Sequence, residues 1–326
     1  MSEDLTRPRS VDAELRRRAA AVIPGGMYGH QSVAALPAEY PQFMARGEGA
    51  RLWDVDGNEY VDLLCAYGPV VLGHRHPAVE DAVRAQMALG DCQNGPGAAM
   101  VLLAEELVRT VSHAHWAMFQ KNGTDATTLA CTIARAGTGR RKVLVAEGAY
   151  HGAAPWCTPR LAGVTPEDRA NVIRYRYNDL ASVTAAAEEA GEDLAAVLVT
   201  PFRHDAGLDQ ELPDVCFARG LRELCDATGA ALVLDEVRCG FRLHLGGSWE
   251  PLGVEPDLFA WSKAIANGYR CIRVSISDLS QMHPLLGSSA RLRELRFSPH
   301  RRRPTRGWSC AVSSGGRSTG HRTRRL

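Results

Sequence analysis

No Cys-x-x-Cys pair occurs among the nine cysteines, and their number is odd. Buried reduced thiols fit that pattern better than a disulfide frame or a zinc site. No apolar run approaches the roughly 20 residues a membrane helix needs. Acidic Glu3 and Asp4 stand where a signal peptide would carry basic and then apolar residues, so the expectation is a cytoplasmic protein. A Walker loop, a Gly-x-Ser-x-Gly elbow and a His-Glu-x-x-His helix are all missing. Gly137-Thr138-Gly139 runs into Arg140-Arg141 instead of a third glycine, which makes a poor dinucleotide fingerprint. His74, His76, His113 and His115 lack further ligands at metal-binding spacing and read as loop or surface histidines.

The 326 residues, 45% hydrophobic and 23% charged, describe a globular chain of one large or two ordinary domains. Its net charge of +1 hides a split. Residues 270–326 hold 13 arginines, no lysine and two acids, Asp278 and Glu294, for +11, which leaves −10 on the rest. Residues 143–145, 195–199 and 230–234 are apolar runs that read as buried strands. Between the last two, 215–228 reads as a helix with Phe217, Ala218, Leu221, Leu224 and Cys225 on one face and Gly229 as its stop. Such βαβ units build a mainly parallel sheet flanked by helices. Nearer the N-terminus, Asp56-Gly57-Asn58 supplies the turn of a hairpin over 51–63.

Three segments are placed to carry chemistry. Asn122-Gly123-Thr124-Asp125-Ala126 opens a helical pattern with apolar Ala126, Leu129, Ala130, Ile133 and Ala134. Glycine, hydroxyl and free amides at a helix start suit an anion, or serve as an ordinary cap. The run 232–234 ends in Asp235, where open α/β sheets place their ligands. Asp235 there could cap, bind a metal or pair with a protonated ring nitrogen. Lys263 sits among apolar residues and small turn formers; a desolvated lysine sheds its proton readily and attacks carbonyls. Together with Tyr150-His151-Gly152, which follows the 143–145 run, these parts fit pyridoxal phosphate: a Schiff-base lysine, an acid for the pyridine nitrogen, a phosphate cradle and a ring to stack.

On these motifs the chain resembles the class III pyridoxal-phosphate aminotransferases of fold type I, in particular the glutamate-1-semialdehyde aminomutase-like branch. The matching residues span about 20–269 and include Ile23-Pro24-Gly25-Gly26, the 53–58 hairpin, Leu72 to Pro77, Asn122 to Arg140, Asp235 to Arg242 and Ser262 to Gly268. The resemblance implies that Lys263 is the Schiff-base lysine and moves the proton, and that Asp235 binds the pyridine nitrogen. It further implies that Gly123 and Thr124 hold phosphate, that Tyr150 stacks on one ring face and Val237 on the other, and that His151 belongs to the cofactor-binding set. Small-molecule amino donors and acceptors and a homodimer are implied as partners. Thr200-Pro201 departs from the family's usual Glu-Pro at that strand end.

The resulting expectation is an α/β, fold type I large domain over 66–269, preceded by an N-terminal segment with a hairpin over 1–65. After Tyr269 both apolar periods are lost. Residues 270–326 read as a shifted frame of GC-rich coding sequence, expected to be disordered and standing in place of the small C-terminal domain; a basic arm for nucleic acid ranks below that. Amino-group transfer, as a transaminase or aminomutase, ranks above epimerisation, and a catalytically inactive fragment is the alternative from another class. If the tail is not structural, deleting 270–326 leaves thermal stability unchanged, which a melting curve against the full chain checks.

Overall fold

A computed structural model describes residues 10–27, 32–37, 39–90, 93–204, 209–269 and 273–277. Helix α1 (Ser10–Val22) opens the described part, followed by a three-stranded antiparallel sheet of β1 (Met44–Glu48), β2 (Arg51–Asp54) and β3 (Glu59–Val61). The expected hairpin is β2–β3, and β1 adds a third strand that alternation did not reveal. Two buried carboxylates hold this region. Asp54 accepts from the Asp56 and Asn58 amides, the Asn58 side chain and the Tyr60 hydroxyl, which closes the turn. Asp12, 1% exposed, accepts from the amides of Gln42 and Phe43 and from Arg16 at 2.6 Å, fastening α1 to the chain entering β1.

The main sheet follows. Helices α2 (Pro77–Ala88) and α3 (Ala98–Thr110) lead to β4 (Trp116–Gln120), α4 (Gly123–Thr138), β5 (Lys142–Ala146), the short α5 (Pro166–Arg169), β6 (Val172–Tyr175), α6 (Leu180–Ala190), β7 (Leu194–Val199), α7 (Val215–Thr228), β8 (Ala231–Asp235), β9 (Leu258–Trp261) and β10 (Arg273–Ser277). The seven strands lie in the order β4-β10-β9-β8-β7-β5-β6. All run parallel except β10, which is antiparallel to both neighbours.

Alternation along β7 shows how the core divides. Leu194, Val197 and Val199 join a cluster with Tyr175, Phe217, Leu221 and Leu232 under α6 and α7. Ala196 and Leu198 point the other way, to Ala130, Ile133 and Val145 under α4. Both faces of the sheet are therefore covered, which explains why its strands read as unbroken apolar runs. The helix over 215–228 has the bounds expected from sequence, with Asp214 accepting from the Cys216 and Phe217 amides and Gly229 at φ 70 as its stop.

Strand β10 lies where the sequence pattern predicted a structureless tail. Residues 273–277 pair with β4 from Arg273↔Gln120 to Ser277↔Trp116, and with β9 from Val274↔Trp261 to Ser277↔Leu258. The boundary at 269 thus moves past Ser277; the remainder of the tail reading, 278–326, lies outside the described residues. The physical reason is twofold. Val274 and Ile276 alternate with serines, a strand signal five residues long and easily lost among the arginines. A gap between β4 and β9 would also leave two rows of backbone groups unpaired, which a buried sheet does not tolerate. Deleting 270–326 is accordingly expected to lower the melting temperature sharply or abolish cooperative unfolding; an unchanged melt would restore the tail reading.

Candidate active site at the carboxyl edge of the sheet

Four segments meet at the carboxyl ends of the parallel strands. Asp235 is the last residue of β8, and Lys263 lies two residues beyond the end of β9. Asp235 is in register with Ala260. Asp235 and Lys263 thus leave the carboxyl ends of two adjacent parallel strands.

The segment after β4 turns directly into α4, whose cap Asn122 accepts from the Asp125 amide at 2.9 Å and donates to the Asp125 carboxylate at 2.7 Å. The first amides of α4, Gly123 and Thr124, have no intrahelical acceptor. Gly123 cannot carry a side chain. A Cβ there would lie 2.9 Å from Val237 Cγ1 and 3.4 Å from Ser262 Oγ. That close approach locks the helix start against the residues following β8 and β9. The segment after β5 is fastened to the same helix. A Cβ on Gly152, at φ 132, would fall 2.6 Å from Thr124 Oγ1. Thr127 Oγ1 donates to the His151 carbonyl at 2.6 Å, and the Ala153 amide donates to Thr124 Oγ1 at 3.1 Å.

This loop delivers His151 to Asp235. Their Nδ1 and Oδ2 are 2.6 Å apart, with His151 2% and Asp235 3% exposed. Asp235 Oδ1 accepts from the Val237 amide at 3.0 Å. Among the described residues, His151 Nε2 is buried without a hydrogen-bond partner. Tyr150 is 36% exposed, and burial raises the affinity of its hydroxyl for the proton, as does Asp235, while Arg238 opposes them. All seven residues singled out from sequence, Gly123, Thr124, Tyr150, His151, Asp235, Val237 and Lys263, therefore lie at the carboxyl edge of one sheet.

Lys263 differs from expectation in its burial. It is half-buried, not enclosed, at a left-handed φ of 46. Its Nζ donates to the Tyr67 carbonyl at 2.6 Å. The roof is the 62–74 loop, where Cys65, Ala66 and Tyr67 have φ of 50, 52 and 63. Three consecutive side-chain-bearing residues in that region cost roughly 1–3 kcal/mol each and persist only when the surroundings impose them. Here the surroundings do: Asn267 accepts from the Leu72 amide at 3.0 Å and donates to the Gly73 carbonyl at 2.9 Å, and His74 Nε2 meets the Asp62 carboxylate at 2.7 Å. His74 is thus occupied in a loop staple.

Three further groups at the site drew no role from sequence. Ser262, 1% exposed, faces Gly123. His204 is almost buried, and burial together with the nearby Arg238 lowers its proton affinity to about 4, so it is neutral at physiological pH. Glu236 points to the opposite side of the sheet from Asp235. It is fully buried and accepts from the Ser248 amide and hydroxyl, both at 2.6 Å. Glu236 and Ser262 lie within the matched motifs without a role of their own there, His204 lies outside them, and what each touches depends on chain segments brought together only by folding.

Comparison with known proteins follows this geometry. The family model "Aminotransferase class-III" matches residues 33–282, so the chain belongs to the class III aminotransferase family. An aminopentol aminotransferase of Sphingopyxis macrogoltabida is 54% identical over 256 residues, covering 78% of this chain and 61% of the relative. A glutamate-1-semialdehyde 2,1-aminomutase of Desulforamulus reducens is 37% identical, with 78% and 61% covered. Among solved structures, the internal aldimine form, with pyridoxal phosphate, of the FumI protein of Sphingopyxis sp. MTA144 superposes with a TM-score of 0.80 at 52% identity, covering 82% of this chain and 64% of that one. The architecture is accordingly that of the fold type I transaminases. The chain spans about 61% of the length of the curated relatives it matches.

Desolvation raises the Glu236 carboxyl to about 7, above the ordinary carboxylate range, against the pull of its two Ser248 hydrogen bonds. The folded state thus binds this proton more tightly than the unfolded chain. Stability from Glu236 is full below the unfolded value and is lost as pH rises through 7, by on the order of 3 kcal/mol. The isosteric Glu236→Gln change should flatten this part of the pH dependence, measured by urea unfolding at pH 5 and pH 8.

Proposed function

We propose that this chain binds pyridoxal phosphate through Lys263 and transfers an amino group between small-molecule donors and acceptors. The observation that carries the reading is the convergence of a lysine amine, a buried carboxylate–imidazole pair and the start of α4 at the carboxyl edge of one sheet. The residues suit the group on their own geometry. The Gly123 and Thr124 amides open α4 without intrahelical acceptors, which favours a phosphate there. Asp235 retains acceptor capacity on both oxygens after its bonds to His151 and Val237, enough to take a pyridinium N–H. The orphaned His151 Nε2 marks a polar position that the protein alone leaves unfilled. When bound, the cofactor supplies an electron sink for the carbanion formed at the substrate carbon.

The protein's own groups then have distinct tasks. Asp235 holds a proton on the ring nitrogen. His151, with Nδ1 on Asp235, orients that carboxylate and spreads its charge. Val237, packed on Gly123, and Tyr150 bound the slot on its two faces. Lys263 must give up the Tyr67 carbonyl to act as nucleophile, and once a substrate amine has displaced it, its amine would take the proton from the substrate carbon and return it on the cofactor side of the same nitrogen. The 54% identity to an aminotransferase, against 37% to an aminomutase, favours exchange between two molecules over migration within one. We also read the chain as one protomer of a homodimer, because Leu63, Met87, Leu89 and Leu102, all more than half exposed, present apolar surface. A monomer at micromolar concentration in light scattering would remove that part.

Purified protein incubated with the cofactor should turn yellow, and borohydride should trap the label on Lys263. Lys263→Ala should lose the covalent adduct entirely. Asp235→Ala should keep it but lower amino transfer by a factor of 100 or more, on the scale of a lost charge-stabilising group. Label on Lys121 or Lys142, or none, would reject the reading. An adduct on Lys263 without turnover of any amino donor would favour cofactor binding alone.

A further inference from the structure

The turn that carries Lys263 ends on a buried amide side chain. The chain leaves β9 through Ser262 and the short turn Lys263–Ala266, and Asn267 follows at φ 45, its backbone amide donating to the Ala264 carbonyl at 3.1 Å. Asparagine is one of the few side-chain-bearing residues that enter this left-handed region readily. Asn267 is 7% exposed, and its side chain reaches across to the 62–74 roof. Its Oδ1 accepts from the Leu72 amide at 3.0 Å and its Nδ2 donates to the Gly73 carbonyl at 2.9 Å. Gly268, at φ 89, packs on the same loop: a Cβ there would lie 3.4 Å from Val70 Cγ2.

The two ends of the roof are fastened elsewhere. Asp62 Oδ1 accepts from the Leu64 and Cys65 amides at 3.0 and 2.9 Å, its Oδ2 meets His74, and Gly49 and His74 exchange backbone hydrogen bonds. Those contacts tie the loop to the N-terminal sheet, whereas Asn267 ties it to the lysine's own turn. The outcome is the Tyr67 carbonyl 2.6 Å from Lys263 Nζ, at the end of a left-handed run that a free loop would abandon. To condense with an aldehyde, Lys263 must leave that carbonyl. Nζ bonds to the aldehyde carbon, and the aldehyde oxygen departs as water with both protons of the neutral amine. When a second amine takes over that carbon, its two protons pass to Nζ, and the Tyr67 carbonyl is again the acceptor at hand.

We propose that Asn267 is a positioning residue for Lys263: by gripping Leu72 and Gly73 it keeps the Tyr67 carbonyl over the amine, and so sets where the amine rests whenever it is not bonded to a carbonyl compound. The assignment rests on the reading of Lys263 as the reacting amine. The position matters because Lys263 is half-buried, and without that acceptor its amine would turn to water instead of staying beside the carbon it has just left.

The chain holds three lysines, Lys121, Lys142 and Lys263, which suits competitive labelling. The cofactor-free full chain would be trace-labelled with acetic anhydride and read by peptide mass spectrometry. Lys142, whose amine rests on the Glu189 carbonyl at 3.1 Å, reports any general loosening. Asn267→Gly keeps the left-handed backbone and removes both side-chain hydrogen bonds; it should raise Lys263 labelling relative to Lys142 at least fivefold. Asn267→Asp keeps the acceptor for the Leu72 amide but not the donor to Gly73, and should fall between. As a second readout, borohydride trapping of pyridoxal phosphate on Lys263 should be at least as fast in Asn267→Gly as in the unaltered chain, because the amine is already free. A merely structural role would slow that trapping. Unchanged Lys263 labelling in Asn267→Gly, an equal rise at Lys142, or slower trapping would each overturn the assignment. No adduct on Lys263 in the unaltered chain would instead overturn the reading of Lys263 as the reacting amine, and the labelling would still decide the role of Asn267.

Discussion

The contact on which the rest of the site depends is the 2.6 Å pair between His151 and Asp235. Both groups are buried, and a buried carboxylate is tolerable only when its lone pairs are used. The Val237 amide uses one oxygen and His151 the other. This requirement pulls the segment after β5 across to the end of β8. The Thr127 hydroxyl on the His151 carbonyl and the absence of a side chain at Gly152 then seat that segment on the start of α4. Removing any one of these contacts would leave a buried polar group without its partner.

A second constraint links the N-terminal segment to the chemistry. The roof over Lys263 is continuous with the three-stranded sheet through Asp62 and His74, and His74 and Gly49 exchange backbone hydrogen bonds. Asn267, four residues after Lys263, holds the same loop by both its side-chain atoms. The left-handed run over Cys65–Tyr67 is therefore imposed from two sides. An arrangement so constrained places one carbonyl, that of Tyr67, on the lysine amine.

The two sides of β8 serve different ends. Asp235, the last residue of β8, pairs with His151, and Glu236, the next residue, is held by Ser248 in the 246–249 turn. Glu236 fixes Ser248, and Trp249 beside it reaches the Pro201 carbonyl. The end of β7, the end of β8 and the turn before β9 are thereby joined beneath the site.

Local pattern was enough for the buried parallel strands, the 215–228 helix with its Gly229 stop and the 56–58 turn, because each leaves a signal within a few residues: an apolar run or a glycine, while the candidate site residues were named with the help of the family resemblance. Such signals cannot report which segments become neighbours. The Asp235–His151 pair spans 84 residues, and the Lys263–Tyr67 contact spans 196. Likewise Val274 and Ile276 become the centre of a sheet only because β4 and β9 stand apart with unpaired backbone between them. The half-burial of Lys263 and the neutral state of His204 were decided by tertiary structure alone, since burial and charge compensation are properties of groups that meet in space, not of residues adjacent in the chain.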